Sequence, residues 1–266
     1  MKRIYCIILS LCLMLTSAAG MAFADEHPDR LNLEDEDGDG LILIPVGIGS
    51  MDMHGSYKGR MLIVLDPSRV VLGVDKRNPG QAALTLEEYA AQYGAAAVIS
   101  GGKEENQQAA TAFVSEGELL NAEKSIEGFA GFDADNVLQL GFADVTELTE
   151  SNIRDGVACG PMLVVNGERS DEQSLDSGVN PRTAIGQRED GAVLLLSVDG
   201  RVAESLGATY KDLAEEMLSF GAVTACVLAS GSAAQMWTDG EYVSTLTSAN
   251  GEPRPVPTAF VVLKTE

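Results

Sequence analysis

The sequence predicts an α/β fold, mixed α+β in character, in which mixed sheets carry flanking helices within a single domain. Three observations predict it. The chain has 266 residues, of which 45% are hydrophobic, enough for one large domain with a proper core. A helix followed by an apolar strand occurs twice, at Thr85–Ile99 and at Thr209–Leu228. Around these units, short apolar runs are punctuated by Gly, Pro, Asn and Asp, the pattern of strands joined by turns.

The elements follow in order. Residues 1–24 read as a secretory signal peptide: Lys2 and Arg3, then the apolar run Ile4–Leu15, then Ala22-Phe23-Ala24 as a small-x-small cleavage site. The run is short for a membrane span, so a membrane contact is expected only through an uncleaved signal anchor. Residues 25–40 are acidic and read as a flexible leader; residues 41–266 form the domain. Arg60–Leu65 and Val70–Val74 read as strands flanking the turn Asp66-Pro67-Ser68, with Pro in a favoured position. Thr85 with Glu88 three residues on makes a capping-box start. That helix stops at Tyr93-Gly94, where Gly suits a left-handed cap, and the strand Ala95–Ile99 ends in Ser100-Gly101-Gly102.

The second unit repeats this grammar. Thr209 with Asp212 starts a helix that stops at Phe220-Gly221, and the strand Ala222–Leu228 ends in Ala229-Ser230-Gly231. Either two ordinary units coincide, or a pseudo-repeat places two small-residue turns near each other. Such turns let backbone N–H groups approach an anion or a sugar hydroxyl. Between the units, a hairpin turn is expected at Phe132–Asn136 and a short helix at Thr146–Asn152. A strand is expected at Pro161–Val165, a tight turn at Asn166-Gly167, and a polar loop over Glu168–Asn180.

Charge excludes some functions. The chain has 18 basic and 40 acidic residues; without Lys2 and Arg3, 16 basic residues remain and the formal charge is −24. Such a surface repels nucleic acid and anionic membranes. Cys159 and Cys226 are the cysteines outside the signal, fitting two buried thiols or, in an oxidising compartment, one disulfide. His27 and His54 show no zinc-ligand spacing. No Gly-x-Ser-x-Gly elbow, Walker loop or dinucleotide fingerprint occurs. Asp35, Asp37 and Asp39 with Gly40 mimic the start of a calcium loop, but position twelve is Val46 in place of the bidentate acid. No cofactor is assigned; a divalent cation such as calcium is the one candidate.

Several segments then align with a known pattern: Tyr57-Lys58-Gly59, Asp66–Val70, Cys159–Gly167, Pro181–Gln187, Val193–Arg201, Leu228–Met236 and Pro253–Phe260. Their order and spacing, from Tyr57 to Lys264, resemble the phosphodiester glycosidase family, in its bacterial secreted branch. A mammalian member of that family uncovers mannose 6-phosphate on lysosomal enzymes. The resemblance implies a mixed α/β domain that hydrolyses a sugar-1-phosphate diester or binds a related glycan.

The chain departs from the family in its most polar places. Ser100-Gly101-Gly102-Lys103-Glu104 stands where the family has Asn-Gly-Gly and an aromatic. Ala229 stands where it has Asp, and Ala233 and Ala234 where it has hydroxyl residues. Alanine can neither ionise nor transfer a proton. The residues left to carry the site are Arg182, Thr183 and Ser230 as catalytic candidates. Gly101, Gly102, Gly160, Gly231, Ser232 and Arg254 are substrate-binding candidates, and no metal ligand is assigned. Arg182 leads because a guanidinium grips phosphate through two parallel bonds. The expected function is an exported phosphodiester glycosidase-like hydrolase of envelope or extracellular glycans. The alternative is a non-catalytic glycan-binding member.

Overall fold

The computed structural model describes residues 30–48, 57–121, 128–141, 144–171, 175 and 177–265. The signal segment, the start of the leader, His27 and His54 lie outside the described residues. The chain opens with β1 (Leu41–Ile48), β2 (Tyr57–Val64) and β3 (Val70–Val74), then α1 (Leu86–Tyr93) and β4 (Ala95–Ser100). Next come β5 (Glu104–Glu105), β6 (Gln108–Ala109), β7 (Phe113–Ser115), β8 (Glu118–Leu120), β9 (Phe129–Asp133), β10 (Leu138–Leu140), α2 (Val145–Glu150), β11 (Ile153–Ala158), β12 (Met162–Val165) and β13 (Glu168–Arg169). The last part holds β14 (Arg182–Arg188), β15 (Val193–Val198), α3 (Tyr210–Ser219), β16 (Ala222–Ser230), β17 (Met236–Thr238), β18 (Glu241–Tyr242) and β19 (Thr258–Leu263).

Both predicted capping boxes form. Thr85 closes reciprocally with Glu88, and Thr209 with Asp212. Gly94 and Gly221 take left-handed conformations, φ 65° and 81°, as a helix stop needs. The Asn136 hairpin turn and the Asn166-Gly167 turn also form where expected, with positive φ at all three residues. The Glu168–Asn180 loop begins with the short edge strand β13.

The expected mixed sheets are corrected by the structure: every strand pair in the three large sheets is antiparallel, and strand predominates over helix. One sheet runs β1-β2-β15-β14-β16-β12-β13; a second runs β18-β17-β4-β19-β3; a third runs β10-β9-β11-β7-β8. The reason is an inserted strand. β15 and β16 both pair antiparallel with β14, so they run parallel to each other with β14 between them. β3 and β4 flank β19 in the same way. Each unit is thus a helix crossover between parallel strands, split by one antiparallel strand.

Side-chain alternation builds four layers. Leu62, Val193, Leu195, Ile185 and Leu228 from one face of the first sheet meet Leu72, Ile99, Phe260 and Val262 of the second in one buried cluster. The opposite face, with Met61, Leu194 and Val227, packs on Leu213, Ala214 and Met217 of α3. The outer face of the second sheet packs on Leu86, Tyr89 and Ala90 of α1. The flanking helices therefore cover the two outer faces of a sheet-on-sheet core, and each hides one apolar stripe. Of the leader, Arg30 reaches the domain: it pairs with Glu216 at 2.8 Å and lies 4.9 Å over the Phe220 ring. No helix among the described residues is long and apolar enough to cross a membrane.

Candidate functional site

The two helix–strand units deliver their strand ends to one cleft of about 550 Å³. Gly102, Lys103, Glu104 and Glu105 line it beyond β4; Leu228, Ala229 and Ser230 line it at the end of β16. Gly160-Pro161 joins from the turn after β11, and Tyr210 from the first position of α3.

Ser100 ties the two units together. Its buried hydroxyl donates to the Ala233 carbonyl at 2.5 Å and accepts from the Gln235 amide at 2.9 Å. Beyond it the chain must pass close to β11. A Cβ on Gly102 would lie 1.9 Å from the Ala158 carbonyl oxygen, and the next amide, of Lys103, donates to that oxygen at 3.0 Å. Only glycine fits this approach.

At the other strand end, β16 carries a bulge. Arg182 faces Ser230 but Ala184 faces Val227, so β16 holds one extra residue against β14. The Ala229 amide, displaced from the ladder, donates to the buried Thr183 hydroxyl at 3.0 Å. Thr183 thus sets the bulge that brings Ala229 and Ser230 to the cleft.

Arg182 is buried and stands behind the lining. Its guanidinium donates to Ala208 O (2.8 Å), Ser230 Oγ (3.0 Å), Gly178 O (2.8 Å) and Ser177 Oγ (3.3 Å). It also lies 3.7 Å from the Tyr210 ring centroid. Burial pulls its pKa below the ordinary arginine value.

Arg254 is anchored by two backbone bonds to the Gln235 side chain, 2.8 and 3.0 Å, and its guanidinium pairs with Glu104. Three of the predicted glycines spend their amides inside the protein. Gly101 donates to Thr258 O, Gly160 to Val227 O and Gly231 to Pro181 O, at 2.9, 2.6 and 2.9 Å. These bonds pack the turns closely at the strand ends. Ser232 sits half-buried in the turn after β16, beside the lining.

Sequence reasoning missed four polar lining residues. Lys103 and Glu104 stood out only as departures from a family pattern, Glu105 gave no signal, and Tyr210 read as a helix start. Other polar and thiol groups have partners within the fold. Asp199 accepts from the Thr245 amide and hydroxyl (2.7 and 2.9 Å), strapping a loop to the first sheet. Cys159 and Cys226 are buried free thiols; burial and the neighbouring Cys159 thiol push the Cys226 thiol well up, away from nucleophilic chemistry. Carboxylate oxygens of Asp35, Asp37 and Asp39 lie within 4.8 Å of one another. They accept from amides of their own turn, as Asp35 does from Gly38 and Gly40, and none of them lines the cleft.

Residues 93–263 match the family model described as phosphodiester glycosidase. The SPbeta prophage-derived uncharacterized protein YomE of Bacillus subtilis (strain 168) is 33% identical over 107 residues, 39% of this chain. The match spans 17% of that longer relative. Among solved structures, the catalytic domain of zebrafish N-acetylglucosamine-1-phosphodiester alpha-N-acetylglucosaminidase, auto-inhibited by its pro-peptide, superposes with a TM-score of 0.73. The identity is 18%, over 86% of this chain and 85% of that one. A hypothetical protein from Synechocystis gives 0.65 at 14% identity, over 84% and 62%. At these identities the likeness is one of fold.

Proposed function

Because this chain belongs to the phosphodiester glycosidase family, we propose that its cleft binds and hydrolyses a sugar-1-phosphate diester of envelope or extracellular glycans. The observation that carries this reading is the meeting of the β4 and β16 ends at one cleft, with a buried arginine fixed behind Ser230. In this reading Ser230 presents its hydroxyl to the phosphate, and Arg182 supplies the positive field behind it. Thr183 sets the bulge, and Gly102 and Gly160 shape the wall. Gly101, Gly231 and Ser232 hold the turns on which that wall rests. The signal-like residues 1–24 support action outside the cytoplasm, and the acidic surface argues against a nucleic-acid partner.

A second reading has a specific observation behind it. Ala229 and Ala233 line the cleft at positions where proton-transferring or hydroxyl groups would serve hydrolysis. A glycan-binding protein without turnover needs neither.

A turnover assay decides between them, with an aryl phosphodiester and a GlcNAc-1-phosphodiester as substrates. The expected result is slow release of free sugar and phosphomonoester from the GlcNAc-1-phosphodiester, or of a phenol and phosphomonoester from the aryl diester. Saturable binding without product would select the second reading. Neither binding nor product across the panel would overturn both.

A further inference from the structure

Glu104 holds an acceptor that the fold leaves unused. Its Oε1 is taken by the Arg254 guanidinium. Its Oε2 is buried and has no hydrogen-bond partner among the described residues, while the residue itself lines the cleft. A buried carboxylate oxygen without a donor is costly, and native structures rarely keep one without a function.

The surroundings hold this carboxylate in place. Glu104 lies on the β5–β6 hairpin, closed by Asn106 and Gln107, both with positive φ (51° and 61°), as a two-residue type I′ turn requires. The hairpin base is pinned where Lys103 bonds Ala158 and Ala110 bonds Lys103, at 3.0 and 3.1 Å. Its turn is pinned where Ala82 bonds Gln107, and β6 opposite Glu104 is pinned where Ala109 bonds Gly80, at 2.7 and 2.8 Å. Arg254 is fixed in turn by Gln235. A side chain held by its own support shell is how proteins build a recognition group.

We propose that Glu104 is a specificity-determining residue whose Oε2 accepts a hydrogen bond from a sugar hydroxyl of the ligand. Resting on the sugar-phosphate reading above, this also fixes the ligand's direction. The free carboxylate oxygen can only accept, and an ionised phosphate diester has no hydrogen to give it, whereas a sugar hydroxyl has one. The sugar therefore occupies the hairpin end of the cleft, and the phosphate lies toward Ser230.

The test is calorimetric binding of three probes to the purified protein and to its Glu104→Gln and Glu104→Asp variants. The probes are GlcNAc 1-phosphate, a panel of its monodeoxy analogues, and inorganic phosphate. Gln keeps the bond to Arg254 through its carbonyl oxygen and turns the free acceptor into an amide donor. The expected result is a roughly 10- to 100-fold loss of GlcNAc 1-phosphate affinity in Glu104→Gln, the range for a bond to a charged acceptor. Phosphate affinity is unchanged or increased. One deoxy analogue loses affinity for the native protein by a similar factor and loses nothing further in the variant. Glu104→Asp, which keeps the charge but withdraws the oxygen, shows an intermediate loss. Thermal midpoints within a few degrees of the native protein mark both variants as folded.

Sugar-phosphate affinity within twofold of native in folded Glu104→Gln would overturn the proposal and leave the sugar-phosphate reading standing. So would equal losses for phosphate and sugar phosphate. A native protein that binds none of the probes would overturn the sugar-phosphate reading, and this proposal with it.

Discussion

The Arg182 guanidinium lies 3.7 Å from the Tyr210 ring centroid and donates to Ser230 Oγ at 3.0 Å. One buried cation thus fixes two side chains that line the cleft. The two come from different elements, the first turn of α3 and the end of β16. A planar fork can satisfy carbonyl, hydroxyl and aromatic partners at once, and a lysine ammonium cannot.

Arg182→Lys is therefore expected to behave like a disruptive change. The ammonium cannot span Ala208, Gly178, Ser177 and Ser230 together, so buried acceptors are left open. A loss of about 2–4 kcal/mol in unfolding free energy is expected, read from denaturant midpoints. Sugar-phosphate affinity should fall with it, because Ser230 and Tyr210 lose their common anchor. A native midpoint in Arg182→Lys would show that the network contributes nothing.

Two glycines separate crowding from backbone conformation. A methyl on Gly102 meets the Ala158 carbonyl oxygen at 1.9 Å, so backbone must move. Gly94 has φ 65° but open space around its Cβ position. Gly94→Ala is expected to cost about 1 kcal/mol, the left-handed penalty alone. Gly102→Ala is expected to cost about 3 kcal/mol or more and to distort the cleft. Equal thermal shifts in the two variants would contradict the close approach.

Asp155 gives a pH dependence opposite to that of the capping acids. Burial raises its pKa, against the Glu116 amide and Arg154, which lower it. The folded protein therefore holds this proton more tightly than the unfolded chain does, and stability from this group rises as pH falls through the folded value, levelling below the ordinary value near 4. Asp144, whose pKa is lowered chiefly by the Glu147 amide, contributes in the other direction: its stability is lost as pH falls through its folded value. In Asp155→Asn, the stability difference from the native protein should favour the variant most at pH 7 and shrink toward pH 4. A pH-independent difference would remove Asp155 from the titration.

The legible parts of the fold were those that local chemistry decides. A threonine with an acid three residues on, and an aromatic-Gly stop, placed α1 and α3 and the strands after them. What local chemistry cannot show is the strand inserted from elsewhere. β19 enters between β3 and β4, although it lies more than 150 residues beyond them, and it turns an apparent α/β crossover into an antiparallel sheet. The site followed the same division. Gly102 and Ser230 stood at strand ends and could be read. Glu104 could not, because its partner Arg254 is 150 residues away and its hairpin turns on Asn106-Gln107, without the usual glycine.

Ala229→Asp tests whether the cleft lacks only a proton-transfer group. Ala229 is buried in the bulge, its amide already held by Thr183, so a new side chain there changes the cleft without changing the ladder. A carboxylate at this point would stand beside Ser230, where the phosphate is placed by the orientation argued from Glu104. Burying that charge is expected to cost several kcal/mol of stability, or to hold the new carboxyl protonated at neutral pH. A positioned acid or base commonly contributes roughly 10²- to 10⁴-fold in rate. The expected outcome is a rise in kcat of roughly tenfold or more, a KM raised by the new carboxylate's opposition to the phosphate charge, and a new ionisation limb in the pH–rate profile. A folded variant with native kcat would mean that the missing group acts from another position, and Ala229 would then be only a wall of the cleft.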